Sequence, residues 1–343
     1  MRIGIDLGGT KTEIICLHAS NGKELYRKRV PSPQGSYKDS LKNLVRLVEE
    51  AEQELGQKGT LGIGIPGCTS RETGLIKNSN STWLIGTPLI QDLSVRLDRE
   101  VRVENDANCL AVSEATDGAG EGSEVVFAVI IGTGCGAGIV VNGRAVSGLN
   151  GLGGEWGHNP LPLQKSLRSA NLDALDFFDG ENNPEDIVAQ IYKNKDPISY
   201  FVDDPNLIEA PGPQCYCGKK GCIEKWISGT GFKDDYVRVT GEAISAHDIV
   251  ARAAEGEAKA VAALERYQDR LARSLAGVID ILDPDVIVLG GGMSNVSSLY
   301  DMVPKLWNKY IFSDTVRTQL RPAKHGDSSG VRGAAWLWER EAD

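Results

Sequence analysis

The chain has 343 residues, of which 41% are apolar and 24% charged, with forty glycines and a formal net charge of −10. That length fits about two domains, and the apolar content is that of a folded globular protein rather than a disordered one. The acidic balance argues against a nucleic-acid-binding surface, and the lack of any apolar run of eighteen residues argues against a membrane span. With no signal peptide ahead of a strand that begins at residue 3, the cytoplasm is the expected compartment.

In chain order, residues 2–7 alternate as a strand, and Gly8-Gly9-Thr10-Lys11 follows as a turn. Residues 12–17 form a second strand, Asn21-Gly22 a hairpin turn, and residues 25–30 a third strand. From Tyr37 to Leu55, apolar positions 41, 44, 45, 48, 51 and 55 mark one helical face. Residues 61–65 read as a buried strand closed by Pro66-Gly67, 89–99 as a helix, 101–103 as a strand ending at Asn105-Asp106, and 107–116 as a helix. The layout then repeats: a strand over 125–131, a glycine-rich turn over 132–138, a strand over 139–141 and an Asn142-Gly143 turn. This is a weak internal duplication and predicts two related domains. Residues 163–213 break the pattern and read as an insertion, with helix expected after Pro184. Positions 261, 264, 267, 271, 275, 278 and 282 form a long apolar stripe stopped by Asp283-Pro284. A strand over 286–289 then opens into Gly290-Gly291-Gly292, and a last helix is expected over 328–338.

Glycine loops at 8–9, 132–138 and 290–292 each follow a strand, where backbone N–H groups can approach phosphate oxygens. Neither the P-loop nor the dinucleotide spacing is present, so an ordinary hairpin turn accounts equally well for the first loop alone. Asn105-Asp106 suits a helix N-cap as well as a catalytic carboxylate with a neighbouring amide. Of seven cysteines, four are isolated, whereas Cys215, Cys217 and Cys222 cluster. With His158 they make a plausible three-thiolate, one-imidazole zinc set, although 57 residues separate His158 from Cys215 and a free histidine is the competing reading. Trp156 and Trp226 read as core, and His18 and His247 as surface residues.

Taken together, Asp6-Leu7-Gly8-Gly9-Thr10-Lys11, Glu104-Asn105-Asp106-Ala107-Asn108, the 132–138 loop, Gly154-Glu155-Trp156-Gly157-His158 and the run from Cys215 to Glu224 resemble the ROK family of repressors and sugar kinases. The resemblance covers nearly the whole chain. It implies an α/β, actin-like and hexokinase-like fold of two duplicated βββαβα domains with a cleft between them. The first domain would take 1–117 and 327–343, the second 118–326. The implied activity is transfer of the γ-phosphate of ATP to a hexose 6-hydroxyl, with Mg²⁺ bridging the phosphates. Residues 78–84, 155–162 and 323–330 look most like bacterial fructokinases that also accept mannose. N-acetylglucosamine kinases and glucokinases of the same family are the alternative.

By the same resemblance Asp106 is the general base, and Gly67, Asn105, Asp106, Glu155, His158 and Glu224 contact the sugar. ATP falls to Asp6, Gly8, Gly9, Thr10, Lys11, Gly132, Thr133, Gly134, Gly136, Gly138, Gly291 and Gly292, and Asp6 would help hold Mg²⁺ through water. His158, Cys215, Cys217 and Cys222 would be ligands of a structural Zn²⁺. A homodimer is the common assembly. A regulator of this family would carry a helix-turn-helix ahead of the first strand, and Met1 stands only two residues from it.

Overall fold

The computed structural model describes residues 1–79, 81–162, 209, 211–326 and 329–338. Most of the 163–213 insertion, including the helix expected after Pro184, lies outside the described residues.

Two five-stranded sheets form the frame. The first contains β1 (Arg2–Leu7), β2 (Lys11–Leu17), β3 (Glu24–Pro31), β4 (Thr60–Ile65) and β7 (Val101–Asn105), in the order β3-β2-β1-β4-β7. The meander β1-β2-β3 is antiparallel, whereas β4 and β7 run parallel to β1. The second sheet repeats this plan with β8 (Val125–Ile131), β9 (Cys135–Val141), β10 (Arg144–Ala145), β11 (Val286–Gly290) and β12 (Gln319–Pro322), in the order β10-β9-β8-β11-β12. Here too the first three strands are antiparallel and the last two parallel. The duplication in the sequence is therefore a duplication of topology, and the α/β hexokinase-like class is the observed one.

Helix α1 (Tyr37–Leu55) begins where Ser36 accepts a hydrogen bond from the Asp39 N–H at 3.2 Å and ends at Gly56 with φ 65°. It buries Leu41, Leu44, Leu47, Val48 and Ala51 against the first sheet, with each large aliphatic side chain worth about 1.5–3 kcal/mol. Helix α2 (Leu89–Leu97) stops earlier than its apolar pattern suggests, because Asp98 turns left-handed at φ 50°. A two-stranded hairpin, β5 (Cys68–Thr69) with β6 (Ile76–Lys77), was not evident from periodicity because each strand is only two residues long.

In the second half the short α4 (Glu224–Ile227) leads into α5 (Gly229–Thr240), α6 (Ala246–Ala254) and the long α7 (Ala258–Leu282). The stripe on α7 buries Tyr267, Leu271 and Leu275 in the second core, and the helix ends at Asp283 with φ 45° just before Pro284. Trp156 and Trp226 lie in that core, as their apolar settings suggest. Helix α8 (Ser298–Trp307) connects β11 to β12.

Helix α3 (Asp106–Thr116) and the last helix, α9 (Ser329–Ala335), lie against one another between the sheets. A third core joins the two halves through Ile15 and Leu17 of β2, Leu110 and Val112 of α3, Val126 and Ala128 of β8, and Val331 and Trp336. The turn expected over 132–138 is shorter than its glycines suggest, since β9 already starts at Cys135 and pairs Gly136 with Ile130 and Gly138 with Ala128. A Cβ on Gly138 would stand 2.5 Å from the Ala107 carbonyl oxygen. Gly138 therefore lets α3 cross β9 closely, and packing rather than phosphate contact explains the absent side chain.

The far end of α3 is tied to the C-terminal segment by a polar cluster. Asp117 accepts hydrogen bonds from Arg332 and from Trp336 Nε1 (3.1 Å), and pairs with His325 Nε2 at 3.0 Å. This gives His325 and Asp117 a structural role rather than a catalytic one. Burial pushes the Asp117 carboxyl up, but His325 and Arg332 outweigh it and hold the group near 2. A depressed carboxylate stabilises the fold above its unfolded value of 3.8, and that contribution is lost as pH falls through about 2. Asp117→Asn is expected to cost roughly 1–3 kcal/mol at pH 7, discounted for partial exposure. Thermal denaturation at a series of pH values should show the difference narrowing below pH 4.

Candidate functional site

The parallel strands β4 and β7 both point their carboxyl ends at one cavity, the usual place for ligands in open α/β sheets. The cavity measures about 500 Å³, within the range of small-molecule sites. From the first half it is lined by Gly67, Asn105 and Asp106, and from the second by Gly132 to Gly136, Glu155, His158 and Glu224. Every residue assigned to the sugar by resemblance thus faces one space.

Asn105 is both N-cap and wall. Its Oδ1 accepts the Ala107 N–H at 2.8 Å, while its Nδ2 donates to the Gly67 carbonyl at 3.2 Å. Gly67 adopts φ 142°, and a Cβ there would lie 2.9 Å from the Lys77 carbonyl oxygen, so the returning β6 strand already requires glycine. Asp106 opens α3, where the helix dipole favours a carboxylate, and its Oδ1 accepts the Ala107 N–H at 2.8 Å. Burial nevertheless raises its pKa above 3.8, and the nearby Glu155 charge adds to the effect. Asp6, at the end of β1, is pushed up to about 6, first by burial and then by Asp106 and Glu13. Two neighbouring half-buried acids, only partly offset by Lys11 and Arg29, suit a water-shelled divalent cation.

On the opposite wall Glu155 opens a short 3-10 turn, Glu155–His158, and stands exposed to the cavity. Glu224 opens α4, and its Oε2 accepts the Cys135 N–H at 3.0 Å. The other glycine loops lie outside the cavity lining. Gly8, Gly9 and Thr10 form the β1–β2 turn, Lys11 opens β2, and Gly291 and Gly292 follow the end of β11.

His158, Cys215, Cys217 and Cys222 converge so that their ligating atoms lie within 4.8 Å of one another. Cys215 Sγ is 3.6 Å from His158 Nδ1, and Cys217 Sγ is 3.6 Å from Cys222 Sγ. A tetrahedral zinc with bonds of about 2.3 Å has ligand separations near 3.8 Å, so the donor set fits that ion with no position left open. The other imidazole nitrogen, Nε2, meets the Tyr216 hydroxyl at 3.0 Å. Tyr216 also lines the cavity and was missed in the sequence, where nothing distinguishes it from an exposed knuckle residue. Glu104, Asn108 and Ser147 were likewise assigned no role, yet all three line the same space.

Among the described residues no helix is long and apolar enough to cross a membrane. The ROK family model matches residues 2–341. N-acetyl-D-glucosamine kinases of Pectobacterium atrosepticum and Haemophilus influenzae are each 38% identical to this chain, over 98% of it and 98% and 99% of their own lengths. Among solved structures, a ROK hexokinase from Thermus thermophilus superposes with a TM-score of 0.76 at 26% identity, covering 98% of this chain and 97% of that one. A ROK-family transcriptional regulator, a homologue of the E. coli MLC protein, shares the fold at a TM-score of 0.71 and 21% identity over 98% of this chain and 77% of its own length. The fold alone therefore does not separate kinase from regulator. The full-length matches do, and the chain belongs to the ROK family as one of its sugar kinases.

Proposed function

We propose that this protein is an ATP-dependent N-acetyl-D-glucosamine kinase that phosphorylates the sugar 6-hydroxyl. The observation that carries this reading is 38% identity, end to end, with relatives bearing that name. It replaces the expectation of fructose, which rested on three short stretches and finds no support among those relatives. Sugars differing by one acetamido group are separated by fine pocket geometry, which short motifs do not encode.

In this reading the sugar lies in the 500 Å³ cavity with its hydroxyls donating to Glu155 and Glu224, while Asn105 and His158 fix its orientation. Asp106 accepts the proton of the 6-hydroxyl as that oxygen bonds to the γ-phosphorus and the bond to ADP breaks. Its raised pKa makes it a stronger base than an exposed aspartate. ATP is assigned to the loops at 8–11, 132–134 and 291–292, and Asp6 to the water shell of Mg²⁺, which when bound neutralises charge on the phosphates. Zinc at His158, Cys215, Cys217 and Cys222 is structural and anchors the wall that carries Glu155 and Glu224.

The direct test is product analysis with N-acetylglucosamine, ATP and Mg²⁺. One ADP per sugar 6-phosphate, identified by coupled phosphorus–proton magnetic resonance, is expected. Absence of phosphorylated sugar, or phosphate on another oxygen, would refute the reading.

A further inference from the structure

Glu104, the residue before Asn105, has a role that its neighbours do not explain. It sits on β7 at the floor of the cavity. Its Oε1 accepts the Asn105 N–H at 2.9 Å and the Asn108 Nδ2 at 3.0 Å, so one oxygen fixes both the junction into α3 and the first turn of that helix. Its Oε2 accepts the Ser147 hydroxyl at 2.7 Å, and Ser147 belongs to the second half of the molecule. Ser147 in turn accepts the Gly153 N–H on its carbonyl at 2.9 Å. That bond closes the loop 146–153 two residues before Glu155. The same loop touches the first half again where Lys77 Nζ donates to the Asn150 carbonyl at 3.3 Å. A single carboxylate thus connects the segment bearing Asn105 and Asp106 to the loop that delivers Glu155 and His158.

We propose that Glu104 is a positioning residue for phosphoryl transfer, setting the distance between the two walls that hold the sugar through its hydrogen bonds to Asn105, Asn108 and Ser147. The inference rests on the reading of this cavity as the sugar site. It concerns geometry rather than charge, and that makes it separable by substitution. In Glu104→Gln the amide oxygen can accept both N–H groups, while the amide nitrogen donates to the Ser147 oxygen, so every contact survives without the charge. In Glu104→Ala all three are lost, and in Ser147→Ala only the link across the cleft is lost.

The experiment is steady-state kinetics on the full-length wild type and these three variants, with N-acetylglucosamine and ATP varied in turn. Ser147→Ala is expected to raise the sugar KM about tenfold, the scale of one hydrogen bond to a charged group, with the ATP KM within about twofold. Glu104→Ala should lose about 100-fold or more in kcat/KM for the sugar, and Glu104→Gln should recover to within about threefold of wild type. The double variant Glu104→Ala/Ser147→Ala should be no worse than Glu104→Ala, since both remove the same link. A Ser147→Ala enzyme with unchanged sugar KM, or sugar and ATP constants that move together, would overturn the proposal. So would a Glu104→Gln enzyme as impaired as Glu104→Ala. If Glu104→Ala does not fold, the Ser147→Ala and Glu104→Gln results decide by themselves. A wild type inactive on every hexose would refute the sugar-site reading instead, and sugar binding measured by calorimetry on the same proteins tells the two failures apart.

Discussion

Replacing Asp106 with asparagine is expected to lower kcat by about 10²–10⁴-fold while leaving the sugar KM within a few-fold, because general-base catalysis is removed and shape is kept. The substitution separates the two roles that the site combines. As a structural residue Asp106 accepts the Ala107 N–H, which an asparagine oxygen also does. As a base it must take a proton, which asparagine cannot. The stability consequence has the opposite sign. Burial holds the Asp106 pKa above 3.8, so its ionised form costs the folded state free energy at neutral pH. Asp106→Asn should therefore raise the thermal midpoint at pH 7–8. The gain should fade as pH falls toward 3.8, below which folded and unfolded aspartate are both protonated. A variant that is both inactive and less stable at pH 8 would show Asp106 to be mainly a structural cap. In the wild type, the acid limb of kcat/KM should lie above the 3.8 of an ordinary aspartate.

The second large effect concerns the knuckle. Cys222 is fully buried, and its Sγ donates to the His158 carbonyl at 3.7 Å besides facing Cys217. Two residues later stands Glu224, and the Ile223 N–H donates to the Asn159 carbonyl at 2.9 Å. The metal set is thus connected by short covalent paths to Glu155 on one side and Glu224 on the other. Cys222→Ser is expected to abolish binding of one equivalent of zinc and to raise the sugar KM by at least about tenfold, the cost of misplacing one carboxylate acceptor. The core of the second half, built chiefly from α7, β8, β9 and β11, should still fold. Metal analysis with circular dichroism and kinetics on one preparation checks all three. A zinc-free variant with unaltered sugar KM would remove the knuckle from the account of the site.

Much of the fold was legible because its signals are local. The strand alternation at residues 2–7, the stripe on α7 and the stop at Asp283-Pro284 each fix an element without help from distant residues. The turn at 132–138 was misjudged because glycine is ambiguous along a chain. It marks a turn at 132–134, whereas at Gly138 it marks the crossing of α3 over β9, which only the tertiary structure supplies. His325 had no visible purpose, since its partner Asp117 lies 208 residues away. The convergence of Asn105, Asp106, Glu155, His158 and Glu224 followed from family resemblance and not from spacing. Glu104 was passed over for a simpler reason. A glutamate on a strand next to two more conspicuous residues carries no pattern of its own, and one of its three partners, Ser147, lies 43 residues away.

The cavity between the two halves is proposed to select an N-acetylated hexosamine for phosphorylation by ATP. This selectivity is tested most directly by kcat/KM for N-acetylglucosamine, glucose, mannose and fructose, measured with one enzyme preparation at saturating ATP and Mg²⁺. The value for N-acetylglucosamine is expected to exceed each of the others by about tenfold or more, the scale on which one well-placed polar contact discriminates. A preference for fructose, or equal values for all four sugars, would contradict it.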